Sequence, residues 1–171
     1  HGFEVVTVDN FSRSSGQAIE GIEKITGKRV QNYKVDLTEL EPTLQIFEDH
    51  PDIEGIIHFA AFKTVPESVD EPLMYFRNNL NSLINILECV ERYKIPHFVF
   101  SSSCSVYGNA DQLPVTEESP LKEAESPYAR TKQMGEEIIQ DFVKVHSDSN
   151  TILLRYFNPV GAHQSAEIGE N

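Results

Sequence analysis

Residues 97–103 have the sequence HFVFSSS, an apolar run of strand length that ends in three hydroxyls. Its aromatic and β-branched residues are those that strands favour. A long helical pattern precedes the run at 72–93, and a second one follows it at 126–146. Strands that alternate with helices at short spacing are typical of an α/β fold with a parallel sheet.

The same alternation continues along all 171 residues. The run at 53–61 is apolar enough to predict a strand that is buried on both faces. Ser126 is the expected N-cap of the helix at 126–146, with Pro127 at its first helical position. The segment 104–125 is the longest without a pattern, and irregular segments of this length are often functional. The predicted strands are 3–8, 30–36, 53–61, 97–103 and 150–157, and the predicted helices are 15–27, 40–50, 72–93 and 126–146.

Composition and charge argue against several classes of protein. Hydrophobic residues make up 39% and charged residues 24%, which is typical of a globular domain. The net charge of −13 disfavours binding to nucleic acid or to an anionic membrane surface. Only two cysteines are present, so the chain fits a reducing cytoplasm better than a disulfide scaffold or zinc cluster. His58 and His163 have no partners at metal-ligand spacing, and no metal site is predicted.

Polar or small residues follow each predicted strand, at 9–10, 36, 60–63, 101–105 and 158. Ligands of open parallel sheets bind outside the carboxyl ends of the strands, so this pattern predicts a cofactor cleft. Asp9 follows the first strand, where an acid accepts hydrogen bonds from a ribose diol and favours NAD over NADP. An ordinary turn aspartate is the alternative for Asp9, and the nearby Arg13 leaves NADP open.

Tyr128 and Lys132 lie four residues apart in SPYARTK, and hence on one helix face. A phenol with a pKa of ~10 is protonated at neutral pH and therefore cannot accept a proton as a base. A neighbouring ammonium is expected to lower that pKa. The pair therefore suits a general base that takes a proton from an alcohol. A hydroxyl of the 101–103 run could bond the same substrate oxygen. The alternatives are that Tyr128 and Lys132 are only a structural pair on the helix, and that the serines of 101–103 are only a polar strand end.

The motifs FVFSSSCSVYGN, SPYARTK and LLRYFNPVGAH, in this order, resemble the extended short-chain dehydrogenase/reductase family, and more narrowly its nucleotide-sugar 4-epimerases. VTVDN, VDL and IIHFAA extend the resemblance over essentially the whole chain. It implies a Rossmann-like, doubly wound parallel sheet, with NAD as the cofactor. It also implies epimerisation at C4 of a UDP-hexose, UDP-glucose or UDP-galactose, through a 4-keto sugar, by a cytoplasmic homodimer that packs through helices 72–93 and 127–146. A 4,6-dehydratase and a non-catalytic NAD-binding module are the alternatives.

The resemblance also implies a role for each matching residue. Tyr128 is the base, Lys132 tunes it and holds the nicotinamide ribose, and Ser103 is the catalytic hydroxyl. The implied cofactor-binding residues are Asp9, Asn10, Ser12, Asp36, Leu37, Phe59, Ala60, Ala61, Lys63, Asn78, Lys132 and Phe157. The implied substrate-binding residues are Lys63, Ser103, Ser105, Tyr128 and Asn158.

The chain departs from the family pattern in ways that carry expectations of their own. Ala61, Phe62 and Pro66 stand where the family commonly has Gly, Leu and Gly, which puts substrate choice in question. The Gly-rich turn that binds the pyrophosphate and the strand before it do not occur, nor does a substrate-binding half after Asn171. We therefore expect 1–158 to be a partial NAD-binding domain, incomplete at its N-terminus, and 159–171 to begin a connection. The sheet should split between 3–8 and 56–61, and the chain alone should be inactive.

Overall fold

The structure is a computed structural model that describes residues 2–161, 163–165 and 167–168. Part of the predicted connection at 159–171 therefore lies outside the described residues. The strands are β1 (Val6–Val8), β2 (Gln31–Tyr33), β3 (Gly55–His58), β4 (His97–Ser103) and β5 (Asn150–Tyr156). The α-helices are α1 (Gln17–Thr26), α2 (Leu40–Asp49), α3 (Val65–Asp70), α4 (Pro72–Tyr93) and α5 (Pro127–Val145), and a 3-10 helix spans Cys104–Tyr107.

The chain forms two compact units, residues 1–36 with 158–171, and residues 37–157. In the first unit β1 and β2 pair in parallel, with Val6 opposite Gln31. In the second unit β3, β4 and β5 form a parallel sheet in that order. The predicted split of the sheet between 3–8 and 56–61 is thus confirmed, and so is the predicted α/β class with parallel strands.

Local signals explain where the main helices begin and end. The side chain of Ser126 accepts a hydrogen bond from the N–H of Ala129 at 3.1 Å, and Pro127 occupies the first helical position of α5, as predicted. Helix α1 ends at Gly27, whose φ of 67° lies in the left-handed region that glycine tolerates. The boundaries of the observed elements therefore follow capping chemistry as well as apolar spacing.

The core of the second unit lies between its sheet and its helices. Phe98, Phe100 and Ser102 alternate along β4 and are buried on one face of the sheet. Leu83 of α4 and Gly135 of α5 meet at the ring of Phe100, where a methyl group on Gly135 would lie 2.8 Å from Cζ. Helices α2 and α3 in turn pack against α4 and α5. All four helices of this unit therefore gather on one side of the sheet.

The prediction that the strand at 53–61 is buried on both faces is wrong. His58 of β3 is buried, but Ile57 is 62% exposed and Phe59 beyond the strand is 60% exposed. In register with Ile57, Ile152 of β5 is also exposed. The reason is that the helices of the second unit cover only the face that carries Phe98 and Phe100.

Two short elements were not predicted. Helix α3 has six residues, which is too short for apolar spacing to reveal it. The 3-10 helix begins where the side chain of Ser103 accepts the N–H of Ser105, so the segment 104–125 is ordered at its start. The N–H of Gly108 then donates to the carbonyl of Ser105 at 3.2 Å. Within the described residues, no helix has both the length and the apolar content needed to cross a membrane.

Candidate active site

The second unit brings Ser103, Tyr128 and Lys132 together at the carboxyl end of β4. Ser103 ends the strand, and Tyr128 and Lys132 lie on the first two turns of α5. The ammonium of Lys132 donates to the carbonyl of Ser101 at 2.7 Å and lies 5.9 Å from the centre of the Tyr128 ring. It also lies 4.9 Å from the centre of the Phe100 ring. The predicted spacing therefore produces one cluster, whose catalytic roles stay predictions.

The electrostatics of Tyr128 differ from the sequence-based expectation. Burial raises the pKa of the phenol, the neighbouring Ser103 hydroxyl lowers it, and Cys104 raises it. The Lys132 ammonium donates to the Ser101 carbonyl, and its tuning of Tyr128 stays a prediction. Of the neighbouring groups that shift this pKa, the Ser103 hydroxyl favours the phenolate.

Lys132 and His58 are a buried cation and a buried imidazole beneath the same site. Burial lowers the pKa of Lys132 to about 8. Burial, followed by the charge of Lys132, lowers the pKa of His58 to about 3. The His58 ring stacks on Phe100 at 6.1 Å. His58 is therefore neutral at physiological pH, which agrees with its predicted structural role.

A buried ion pair next to this cluster was missed by sequence reasoning. Glu136 is 1% exposed, and its carboxylate accepts Nε of Arg155 at 3.0 Å and Nη2 at 2.7 Å. The same carboxylate accepts the hydroxyl of Ser102, and Arg155 also donates to the Tyr107 hydroxyl at 3.1 Å. A signal was available, since residue 136 continues the i, i+4 series of 128 and 132 on the face that meets β4.

A buried amide on α4 was also missed. Asn79 accepts the N–H of Phe62 at 2.8 Å and donates to its carbonyl at 3.0 Å, which fixes the segment after β3. It also donates to Thr131 at 3.1 Å, and Thr131 donates to the carbonyl of Tyr128 at 2.7 Å. One side chain therefore connects the segment after β3 to the first turn of α5. A polar residue within the apolar stripe of α4 was the signal.

The predicted cofactor residues of the second unit lie mostly at the ends of its strands. Phe59, Ala60, Ala61 and Lys63 follow β3, and Phe157 follows β5. The Phe59 ring is 6.2 Å from the ring of Tyr156, the last residue of β5. Of the other predicted residues of this unit, Lys132 lies in the cluster described above. Asn78 of α4 donates to the Asn79 side chain at 2.9 Å, and the carbonyl of Leu37 accepts the side chain of Asn85 of α4 at 2.8 Å.

An open groove of about 560 Å³ in the second unit is lined by residues of α4 and of the segment before α2. Asn78 and Phe62 contribute to its lining, whereas Ser103, Tyr128 and Lys132 do not. Across the part of the chain that the structure describes, no group of three or more His, Cys, Asp or Glu residues could hold a metal ion.

The predicted residues of the first unit gather at the ends of β1 and β2. Asn10 donates to the Asp36 carboxylate at 3.0 Å and accepts the N–H of Ser12 at 2.9 Å. Asp9 accepts the N–H of Phe11 at 2.7 Å and the Ser14 hydroxyl at 2.8 Å, so it does act as a turn aspartate. Asn158 belongs to this unit as well and is exposed.

The turn does not use up the acceptor capacity of Asp9. A carboxylate offers about four lone-pair sites, and the two bonds occupy one on each oxygen. The acid, amide and hydroxyl at this strand end therefore fit the diol of a nucleotide ribose.

A sequence model described as the NAD dependent epimerase/dehydratase family matches residues 1–170. The chain is 47% identical to a UDP-glucose 4-epimerase of Schizosaccharomyces pombe, covering 99% of this chain and 48% of that protein. It is 44% identical to the UDP-glucose 4-epimerase of Bacillus subtilis, covering 99% of this chain and 50% of that protein. The chain therefore spans about half the length of these curated relatives.

Solved structures give the same relationship. The UDP-glucose 4-epimerase of Bifidobacterium longum, crystallised in complex with NAD+ and UDP, superposes with a TM-score of 0.96 at 40% identity, covering 99% of this chain and 50% of that one. The enzyme of Stenotrophomonas maltophila, with bound NAD and formylated UDP-arabinopyranose, gives a TM-score of 0.94 at 39% identity, covering 99% of this chain and 50% of that one. The two units described above are thus parts of a known fold.

Proposed function

The chain belongs to the NAD dependent epimerase/dehydratase family, and on that premise we propose that the protein epimerises C4 of a UDP-hexose, interconverting UDP-glucose and UDP-galactose through a 4-keto sugar. The resemblance noted from the motifs is confirmed, as are the Rossmann-like fold and NAD as the cofactor of the family. The identity of the reaction is supported by the relatives, which are UDP-glucose 4-epimerases.

The observation that carries the proposal is the convergence of Ser103, Tyr128 and Lys132 at the end of β4. In the proposed reaction Tyr128 takes the proton of the 4-hydroxyl, and Ser103 donates a hydrogen bond that favours the phenolate. Lys132 supplies a buried cation beside the ring. Bound NAD would supply the redox chemistry of this reaction, as the acceptor and then the donor of the C4 hydride.

The residues that would hold the cofactor are proposed from their positions and from the family. Asp9, Asn10, Ser12 and Asp36 would meet the adenosine end, and Leu37 would flank the adenine. The residues after β3 would line the cofactor, with Asn78, Phe157 and Lys132 nearby. Lys63, Ser105 and Asn158 are proposed as substrate contacts together with Ser103 and Tyr128.

The test is Tyr128→Phe in the full-length protein, because this change removes only the phenolic oxygen. Loss of a general base lowers turnover by about 10²–10⁴-fold, and NAD content should stay unchanged. The measurements are conversion of UDP-galactose to UDP-glucose and the NAD released on denaturation. Tyr93→Phe is the matched control, since Tyr93 ends α4 at a distance from the cluster.

Other outcomes distinguish the alternatives. Unchanged turnover in Tyr128→Phe contradicts the proposal. If the parent protein and Tyr128→Phe both retain NAD and neither turns over substrate, the non-catalytic binding module is favoured. A 4-keto-6-deoxy product identifies a 4,6-dehydratase instead. That the 171 residues alone are inactive stays a prediction, and so does the cytoplasmic location.

We also propose a homodimer that packs through α4 and α5 in the full-length protein. Leu73 is 71% exposed near the start of α4, and Ile84 is exposed farther along the same helix. Exposed apolar side chains on a long helix support a contact with another copy. Sedimentation of the full-length protein measures this directly, and Ile84→Glu should shift a dimer towards monomer.

A further inference from the structure

Ser105 donates two hydrogen bonds to one oxygen, the hydroxyl of Ser103. Its backbone N–H lies 3.2 Å from Ser103 Oγ, and its own hydroxyl lies 3.0 Å from the same atom. A serine hydroxyl has two acceptor lone pairs and a single proton. Because Ser105 fills both lone pairs, the Ser103 proton must be donated to a third group.

Tyr128 lies beside Ser103, where its phenolic oxygen can accept a hydrogen bond from this hydroxyl. The phenol lies beside Ser103, which lowers its pKa, as a donor to the phenolic oxygen does. The other titratable groups around the phenol are Cys104, which acts in the opposite direction, and Lys132, whose ammonium donates to the Ser101 carbonyl. The direction of the Ser103 hydroxyl therefore matters for the protonation of Tyr128.

The local fold holds Ser105 in its position. Ser103 is the N-cap of the 3-10 helix, and Ser105 lies in the middle of that helix. Val106 follows with no exposed surface, and its carbonyl accepts the side chain of Gln133 from α5 at 2.9 Å. Ser105 is therefore not a freely moving surface hydroxyl.

We propose that Ser105 is a positioning residue that keeps Ser103 in the role of hydrogen-bond donor, so that the Ser103 proton is directed at Tyr128 or at the substrate oxygen that Tyr128 deprotonates. Without the Ser105 hydroxyl, one lone pair of Ser103 is free and its O–H can rotate away. The proposal deepens the proposed function and rests on it for the substrate. The arrangement of the two serines itself is independent of that function.

The experiment titrates Tyr128 by NMR in the full-length protein, with tyrosine labelled at Cζ and the signal assigned with Tyr128→Phe. The variants are Ser105→Ala, Ser105→Thr, which keeps a hydroxyl, and Ser103→Ala with and without Ser105→Ala. Ser119→Ala, in the same loop, is the control. We expect the pKa of Tyr128 to rise in Ser105→Ala and to return in Ser105→Thr. In the Ser103→Ala background, Ser105→Ala should add nothing.

An unchanged titration in Ser105→Ala overturns the proposal, and so does a shift of equal size in the Ser103→Ala background. Turnover is a second readout: one lost hydrogen bond to Ser103 should lower kcat by up to about tenfold, whereas loss of the proposed substrate contact of Ser105 would raise KM. If Tyr128→Phe leaves turnover unchanged, the proposed function fails. The titration still decides the role of Ser105, so the two failures can be told apart.

Discussion

The two faces of the β3–β4–β5 sheet differ in whether helices cover them and in the side chains that they carry. One face buries Phe98, Phe100 and Ser102 of β4 against helices and contains the ion pair of Glu136 with Arg155. The other carries Ile57 and Ile152, which are exposed although they are as apolar as core residues. Hydrophobicity alone therefore does not distinguish the faces, whereas partnered polar groups occur on the covered one. Four substitutions test this difference.

Arg155→Met should give the largest loss of stability. It leaves the carboxylate of Glu136 buried without its cation, and breaking a buried pair in this way costs about 3–5 kcal/mol. The measurement is urea unfolding at neutral pH. Lys144→Met is the control, because the pair of Lys144 with Asp141 is exposed and should contribute at most about 1 kcal/mol. Equal losses in the two variants would show that burial is not what gives the pair its effect.

His58→Leu should change the acid limb of the stability profile. The folded-state pKa of His58 is about 3 and its ordinary value is 6.5, so the unfolded chain binds an extra proton between these values and stability falls as pH falls. The loss attributable to His58 is roughly 2 kcal/mol between pH 6 and pH 4. Between these two pH values, the free energy of unfolding of His58→Leu should therefore fall by roughly 2 kcal/mol less than that of the parent protein. His97→Gln, at an exposed histidine, should follow the parent profile, and an identical shift there would rule out the burial of His58 as the cause.

Gly135→Ala should be destabilising although alanine favours helices. The added methyl would lie 2.8 Å from Phe100 and 3.2 Å from Leu83, both buried. Overpacking costs about 1–3 kcal/mol and the gain in helix propensity offsets about 1 kcal/mol of it. Gly16→Ala, with a negative φ and open space at its Cβ, is the control and should be neutral or slightly stabilising. A stable Gly135→Ala protein would mean that the covered face can relax.

Ile57→Thr should have the smallest effect on folding. Its side chain is largely exposed, and surface substitutions change the free energy of unfolding by within about 0.5 kcal/mol. The concentration at which the protein aggregates should rise, because the exposed apolar patch becomes smaller. A loss above 2 kcal/mol would show that this face is covered in solution.

The sequence predicted the order of strands and helices because apolar spacing and capping residues are local signals. It predicted Tyr128 and Lys132 as a pair because the i, i+4 rule places them on one helix face, and a hydroxyl of the 101–103 run near them because that run ends a strand. The choice of Ser103 came from the family resemblance. It did not predict which face of β3 is covered, because the apolar Ile57 is exposed and the polar His58 is buried, the reverse of what hydrophobicity indicates. It also did not predict that burial raises the pKa of Tyr128, because the burial of a phenol is a tertiary property.

Helix α5 meets the last three residues of β4 through three successive positions, one turn apart. Tyr128 lies beside Ser103, Lys132 bonds the Ser101 carbonyl, and Glu136 accepts the Ser102 hydroxyl. A slip of the helix by one residue would turn its side chains by about 100° and break all three contacts together. Tyr128, Lys132 and Glu136 are therefore aligned together by the register of α5 against β4, and a change in that register would displace all three at once.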